Sequence, residues 1–330
     1  MKFIRIILSV ILVFCSIFTF TFGWKKISAT KLDDKSAEYQ GILNVWHVDG
    51  FEGGVGSRRQ FLLNRAIEFE KQNSGVLVMV SNFTFEGINE RLAKGEYPDL
   101  ISFSLGVNVD RTLRLDCKNL SNGGFVGDKA YATAWCRGGY VLIANASKTI
   151  SFPDHFDSIT VSQAEYTEPL VAFVLEGFRA KKVSVKKPID AYYDFVNGNT
   201  DYLLGTQRDL IRLNNRNFDV AVRPLKEFND LIQYVAITTD SEQKNFYAQK
   251  FVRFLTEEST QKKLDKIGMF SCYYSVGYDN AHYLEMEKVK TGSTLSAFIS
   301  SVQLLELQDY SKSIALGEKD DVNKIKNMLV

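Results

Sequence analysis

Apolar residues along this chain follow two rhythms, and the switches between them outline the elements. Ile42-Leu43-Asn44-Val45-Trp46 is a short apolar run of the kind a buried strand makes. After the glycine-rich loop Gly53-Gly54-Val55-Gly56 the period lengthens, and Phe61, Leu62, Ala66 and Phe69 fall on one helical face. Ser57 opens that helix, and Gln60 three residues later completes the pattern of a capping box. A second strand is predicted over 76–80 and a short helix over 86–93, ended by Gly95. Pro98-Asp99 then leads into a third strand, Leu100–Phe103. Strand, helix, strand, helix, strand in this order predicts a parallel sheet with crossover helices.

A second alternation begins at 130–144, which contains Gly138-Gly139 and a strongly apolar end over 140–144. Pro188 starts a helix that Gly198 stops. Strands are predicted over 202–204, 218–222 and 231–238, with a helix beginning at Thr206. Phe246, Phe251, Phe254 and Leu255 mark a long amphipathic helix, and Leu264 and Ile267 close the next one before Gly268. Helical runs follow over 294–307 and 320–329. Two α/β units with no flexible linker predict two lobes joined by crossing strands. Lobe 1 is read as 41–139 and lobe 2 as 140–277. The span 278–330 supplies C-terminal helices, part of which returns to lobe 1.

The first 24 residues break the pattern. Lys2 and Arg5 precede an apolar stretch from Ile6 to Phe22, and Trp24-Lys25-Lys26 closes it. Positive charge before such a segment directs export. The stretch from Phe3 to Gly23 is also about long enough to span a bilayer, since ~20 residues suffice. Only Thr21 and Gly23 offer small residues for cleavage, so the segment is read as a retained membrane anchor, with a cleaved signal as the alternative. Residues 25–40 are charged and aperiodic and read as a tether. The domain is thereby placed on the extracytoplasmic face of the cell membrane, or outside the cell if the signal is cleaved.

Composition narrows the function classes. The 330 residues are 45% hydrophobic and 24% charged, an ordinary globular balance with ample material for a core. A net charge of +1 speaks against nucleic acid as a partner. Of the four cysteines, Cys15 lies in the N-terminal segment, behind Phe14 where a lipoprotein signal has a small residue. Cys117, Cys136 and Cys272 show no metal-ligand spacing, so no metal and no cofactor are expected. Cys117 and Cys136 read as buried thiols, with a disulfide between them as the alternative.

Candidate chemistry gathers where strands turn into helices, because helix N-termini present unpaired N–H groups. The loop at 53–56 lacks G-x-G-x-x-G and the P-loop Lys-Ser/Thr, so it reads as a tight turn. Hydrolase and kinase motifs are missing, and no enzymatic activity is expected. His47 ends the first strand beside Asp49 and Glu52, at the edge where α/β sheets hold ligands. In Thr206-Gln207-Arg208-Asp209, Thr206 fits an N-cap and Asp209 complements the dipole, while Gln207 and Arg208 exceed that need. Trp135, beside Gly138-Gly139, fits either a core position or a plate for a sugar ring.

These pieces resemble a known family. "NVWH", "LLNRAIEFEKQNSGVLVMV" and "RLAKGEYPDLISFS" are similar to the opening of bacterial extracellular solute-binding proteins of the sugar-binding type. "YATAWCRGGYVLIAN" resembles that family's crossing segment, with Ala134 where a proline is common. "FVNGNTDYLLGTQRD" and "AQKFVRFLTEESTQKKLDKIGMFSCYYS" resemble its cleft strand and its C-terminal signature. The resemblance spans about 41–278. It implies a two-lobed type II periplasmic-binding fold with a hinge and a central ligand cleft. It also implies a small polar solute, carbohydrate-like, passed to the permease subunits of an ABC importer. The ligand-binding residues it implies are His47, Asp49, Ser104, Trp135, Gln207, Arg208 and Tyr273. A ligand-sensing partner of a membrane signalling protein is the alternative role for the same fold.

Overall fold

The computed structural model describes residues 39–116, 118–146 and 151–330. Cys15, Cys117, the anchor over 1–24 and all but the end of the tether lie outside the described residues. Met1–Gly41 and Ile42–Val330 separate as two units, and the second carries two five-stranded sheets.

The chain begins with β1 (Gly41–His47), α1 (Arg58–Gln72), β2 (Val76–Asn82), α2 (Phe85–Ala93) and β3 (Leu100–Phe103). A small hairpin, β4 (Phe125–Val126) and β5 (Lys129–Ala130), precedes β6 (Ala132–Arg137) and β7 (Tyr140–Asn145). Next come β8 (His155–Phe156), β9 (Ile159–Ser162), α3 (Pro169–Leu175), β10 (Arg179–Ala180) and β11 (Val183–Lys186). They are followed by α4 (Pro188–Val196), β12 (Tyr202–Thr206), α5 (Gln207–Asn214) and β13 (Val220–Pro224). The remainder is β14 (Ile232–Ile237), α6 (Glu242–Thr256), α7 (Glu258–Gln261), α8 (Ala281–Lys288), α9 (Ser301–Ala315) and α10 (Val322–Lys326).

The first sheet has the order β2-β1-β3-β14-β6. β1 and β3 pair in parallel, as the βαβ rhythm predicts, but β14 enters antiparallel between β3 and β6. Residues 232–237, inside the span read as lobe 2, therefore belong to the first sheet. The second sheet has the order β11-β9-β12-β7-β13, with β7 antiparallel to both neighbours. Reversing one strand per sheet brings the start of β14 to the carboxyl ends of β3 and β6, and the start of β7 to those of β12 and β13. The chain thus passes between sheets along these edges: β6 to β7 through Gly138-Gly139, and β13 to β14 through 225–231. A third segment bridges there, with Phe270 and Arg137 exchanging backbone hydrogen bonds at 2.9 Å each way.

Each sheet buries apolar side chains against its helices. Ile88, Leu92, Ile101, Phe103 and Tyr234 form one core, and Val141, Ile143, Leu203, Phe195 and Leu210 the other. On the first sheet α1 packs on α6, with the Phe69 and Phe251 rings edge to face at 5.1 Å.

Local details depart from the sequence reading in places. Ser57 caps α1 by accepting from the Gln60 backbone N–H, but the Gln60 side chain bonds Asn64 instead of closing a box. Residues 294–300 are not helical. Leu295 and Ala297 are buried there, and Ala297 N–H donates to Gly123 O, so burial overrides helical periodicity until α9 begins at Ser301. Cys136 and Cys272 are free thiols. Among the described residues no helix is long and apolar enough to cross a membrane.

Candidate ligand cleft

The carboxyl ends of β1 and β3 bring His47, Asp49 and Ser104 into one neighbourhood. The Gly50 backbone lies so close to Ser104 that a Cβ would stand 1.3 Å from Ser104 Oγ, so only glycine lets these loops meet. His47 is fully buried, with Nδ1 2.9 Å from Ser102 Oγ and Nε2 3.1 Å from Asp49 Oδ1. Ser102 Oγ also accepts from Trp135 Nε1 at 3.0 Å and from Gln233 Nε2 at 3.2 Å. With both lone pairs taken, its hydroxyl donates to His47 Nδ1, which leaves the proton on Nε2, facing Asp49. Burial pushes the imidazole pKa below 6.5, although the bond to Asp49 works the other way. His47 is therefore neutral and spends both nitrogens on its neighbours.

Asp49 is the member of this chain that reaches solvent, its side chain 42% exposed. Arg58 Nε donates to the same Oδ1 at 2.7 Å. Burial works against ionisation, yet the bond to His47 and the Arg58 charge outweigh it and hold the carboxyl well below the usual range. Asp49 thus presents an ionised, oriented acceptor at the rim of lobe 1.

Lobe 2 contributes the end of β12 and the start of α5. Thr206 and Asp209 form a complete capping box: Thr206 Oγ1 accepts from Arg208 N at 3.3 Å, and Asp209 Oδ2 accepts from Thr206 N at 2.9 Å. That box aims Arg208 across the gap, where Nη1 donates to Gly54 O in lobe 1. One turn on, Arg212 grips Glu52 with two parallel bonds of 2.6 and 2.9 Å. A third contact is aromatic. The Tyr166 and Phe85 rings meet at 4.7 Å, and Tyr166 lies on Gly106, where a Cβ would come within 2.3 Å of the ring. Tyr166 has φ 56°, a left-handed conformation that costs a bulky side chain strain.

The other sequence-predicted residues lie elsewhere. Trp135 is 0% exposed: one face stacks on Phe61 at 5.7 Å and 9°, and its N–H is spent on Ser102, so it has no free face for a ring. Gln207 is fully buried and braces the crossing strand, accepting from Gly139 N at 3.0 Å. Its Nε2 points at Met269 Sδ, 3.6 Å away. Tyr273 packs behind lobe 1, within 2.6 Å of Thr133 Oγ1 and donating to Ala134 O at 2.9 Å. The structure thus brings Asp49, Ser104 and Arg208 towards one interlobe edge and places Trp135, Gln207 and Tyr273 in supporting positions.

Phe85, Tyr166 and Arg212 were not singled out from sequence. Arg212 carried a signal, since it stands four residues after Arg208 and so shares its helical face. Nothing local marks Tyr166, whose backbone conformation is imposed by its surroundings.

Two α/β lobes whose carboxyl edges face one another across crossing strands make the fold of type II periplasmic-binding proteins. No family model and no curated protein matches the sequence. Solved structures match in fold. The sugar-binding protein MalE from Xanthomonas citri superposes with a TM-score of 0.56 at 14% identity, covering 87% of this chain and 95% of that one. The GacH receptor of Streptomyces glaucescens, solved unliganded and with acarbose, gives 0.56 at 12% identity, covering 86% and 95%. The apo ferric ion-binding protein A of Pasteurella haemolytica gives 0.52 at 16% identity, covering 86% and 98%.

Proposed function

We propose that this chain is an extracytoplasmic solute-binding protein that captures a small polar solute, a carbohydrate, and hands it to the permease subunits of an ABC importer. The observation that carries this reading is the interlobe edge. A pre-oriented carboxylate, Asp49, stands on one lobe and a guanidinium, Arg208, reaches from the other, and the lobes also meet through the rings of Phe85 and Tyr166. Acceptor, donor and ring faces together suit a solute rich in hydroxyls. In this reading Asp49, Ser104, Arg208, Tyr166 and Phe85 touch the solute, while His47, Trp135 and Gln207 hold the edges rigid. Solute entry requires the lobes to part, and closure then excludes water from the bonds it makes. The sugar-binding proteins that share the fold support the ligand class. The apolar N-terminal segment supports a membrane tether, checked by intact mass of the protein recovered from membranes.

Calorimetric titration with mono-, di- and oligosaccharides tests the function. A saturable heat with at least one sugar, lost in Asp49→Ala and Arg208→Ala, is the expected result. Silence across the panel, with a peptide or amine binding instead, would remove the carbohydrate assignment.

A further inference from the structure

A cavity of about 570 Å³ opens on the hinge side of the molecule, lined by Leu120–Gly123 and 271–275 from one side and by Asn229 and 287–294 from the other. Neither Asp49, Ser104, Tyr166 nor Arg208 lines it, so it is separate from the interlobe edge. Arg137 stands in its wall, only 9% exposed.

The guanidinium lies over the Phe270 ring, 5.2 Å from its centroid, and its hydrogen bonds go to carbonyl oxygens. Nε donates to Ser271 O at 3.1 Å, and Nη2 donates to Glu287 O at 3.0 Å and Val289 O at 3.3 Å. Nη1 has only a long contact with Gly138 O, at 3.5 Å, and so keeps donor capacity. Among the described residues no carboxylate pairs with it. The nearby Glu287 carboxylate is turned to the backbone N–H of Gly277 at 3.2 Å and to Ser275 Oγ at 3.3 Å. Burial pushes the Arg137 pKa down, although the nearby Glu287 charge works the other way. Lys288 and Lys290, both exposed, stand on the lining with it.

A buried cation with no carboxylate in direct contact is expensive, and an anion bound against it lowers that cost. We propose that this cavity is a second binding site, for a small oxyanion such as phosphate or a short dicarboxylate. Arg137 would supply the buried charge and Nη1 donor, and Lys288 and Lys290 would draw the anion in. The planar donor fork of arginine suits both phosphate and carboxylate oxygens. The proposal is independent of the solute carried in the cleft.

The test is calorimetric titration of the full chain with sodium phosphate and with malonate, at ionic strength held constant by sodium chloride. Saturable binding of at least one anion is expected; which one binds distinguishes a phosphate from a carboxylate ligand. Lys288→Gln with Lys290→Gln, on an exposed rim where folding is not at stake, should weaken it about two- to fivefold. Arg137→Lys, which keeps the charge but loses the fork, should weaken it about tenfold. Sugar binding should be unchanged in the lysine variant. Absence of binding beyond the chloride control overturns the site, and so does an affinity unaltered in the lysine variant, since the anion would then sit elsewhere.

Discussion

Trp135 shows how much a single residue's role depends on which of its faces is covered. Sequence alone left it between core and cleft, because a tryptophan beside paired glycines fits either. Its burial against Phe61 and its bond to Ser102 make it the far end of the chain that orients His47 and, through it, Asp49. Trp135→Ala should therefore cost about 3–5 kcal/mol in a denaturation curve, the range for large aromatic truncations. Arg208→Ala leaves no core cavity and should lower solute affinity with little loss of stability. A Trp135→Ala protein as stable as the parent would overturn the core assignment. Tyr166 behaves in the opposite way. Its positive φ stores strain of about 1–3 kcal/mol, while its contact with Phe85 is worth about 0.5–1.5 kcal/mol. Tyr166→Gly relieves the first and loses the second, so unliganded stability should lie between a loss of about 0.5 and a gain of about 2.5 kcal/mol. Solute affinity should fall at least about tenfold if the ring is a contact; unchanged affinity removes Tyr166 from the site.

At the scale of elements, what could be read from the chain was what local chemistry encodes. The cap of α5 was visible as Thr206 with Asp209 three residues on, and the box is complete in the fold. Thr206→Ala should cost about 1 kcal/mol in thermal or chemical denaturation, the usual worth of an N-cap. It should also weaken solute binding, because the box sets the direction in which Arg208 leaves the helix. Wild-type affinity in that variant would argue that Arg208 is aimed by something else. Strands β1, β3 and β14 were legible because each is a dense apolar run between polar turns. The small strands β8 and β10 were not, being two residues each and paired with one another. Helix α8 was missed although Asn280 caps it, since its buried residues, Tyr283, Met286 and Glu287, form no clear apolar stripe. The site followed the same division. Asp49 and Arg208 lie at junctions that sequence can locate, whereas the Phe85–Tyr166 pair depends on how one lobe meets the other.

For the molecule as a whole, two groups of acids and bases set opposite limits on the working pH. His47 has a folded pKa below 6.5, and Asp49 one below its ordinary 3.8, so each contribution is lost as pH falls through those ranges. Glu168 runs the other way. Burial, with Asp230 and Asp309 nearby, pushes it from 4.5 up to about 9. The folded chain keeps that proton while the unfolded chain releases it, so stability is full below 4.5 and declines as pH rises towards 9. Asp230, raised by burial from 3.8 to about 6, adds a decline of the same sign between those values. Glu168→Gln removes the proton linkage but keeps the shape, so the fall in Tm from pH 5 to pH 8 should be shallower than in the parent. A parallel fall in both proteins would show that Glu168 is ionised in the fold.

Closure, which the proposed function requires, is the last property that belongs to the whole chain. Among the described residues the lobes meet across the candidate cleft through Arg212 on Glu52, Arg208 on Gly54 O, and Tyr166 on Phe85. The first is the strongest on geometric grounds, being bidentate, with side chains only 18% and 28% exposed. Neither residue is among those proposed to touch the solute, although Arg212 also reaches Asp209 Oδ1 at 3.4 Å, so on the proposed function the pair biases the balance between open and closed forms. If that pair is worth about 1.4 kcal/mol, its loss lowers the closed-to-open ratio tenfold. Glu52→Gln keeps the side-chain shape but removes the charge that Arg212 grips. Small-angle scattering should therefore give a larger radius of gyration for the unliganded variant than for the parent. Saturating solute should bring the two together, because the solute supplies closing contacts of its own. The variant should also bind its solute more weakly, since part of the binding free energy now goes into closing the lobes. Identical scattering curves for variant and parent, with identical affinities, would mean that the lobes are held by packing at the crossing strands and that the Glu52–Arg212 pair is incidental to closure.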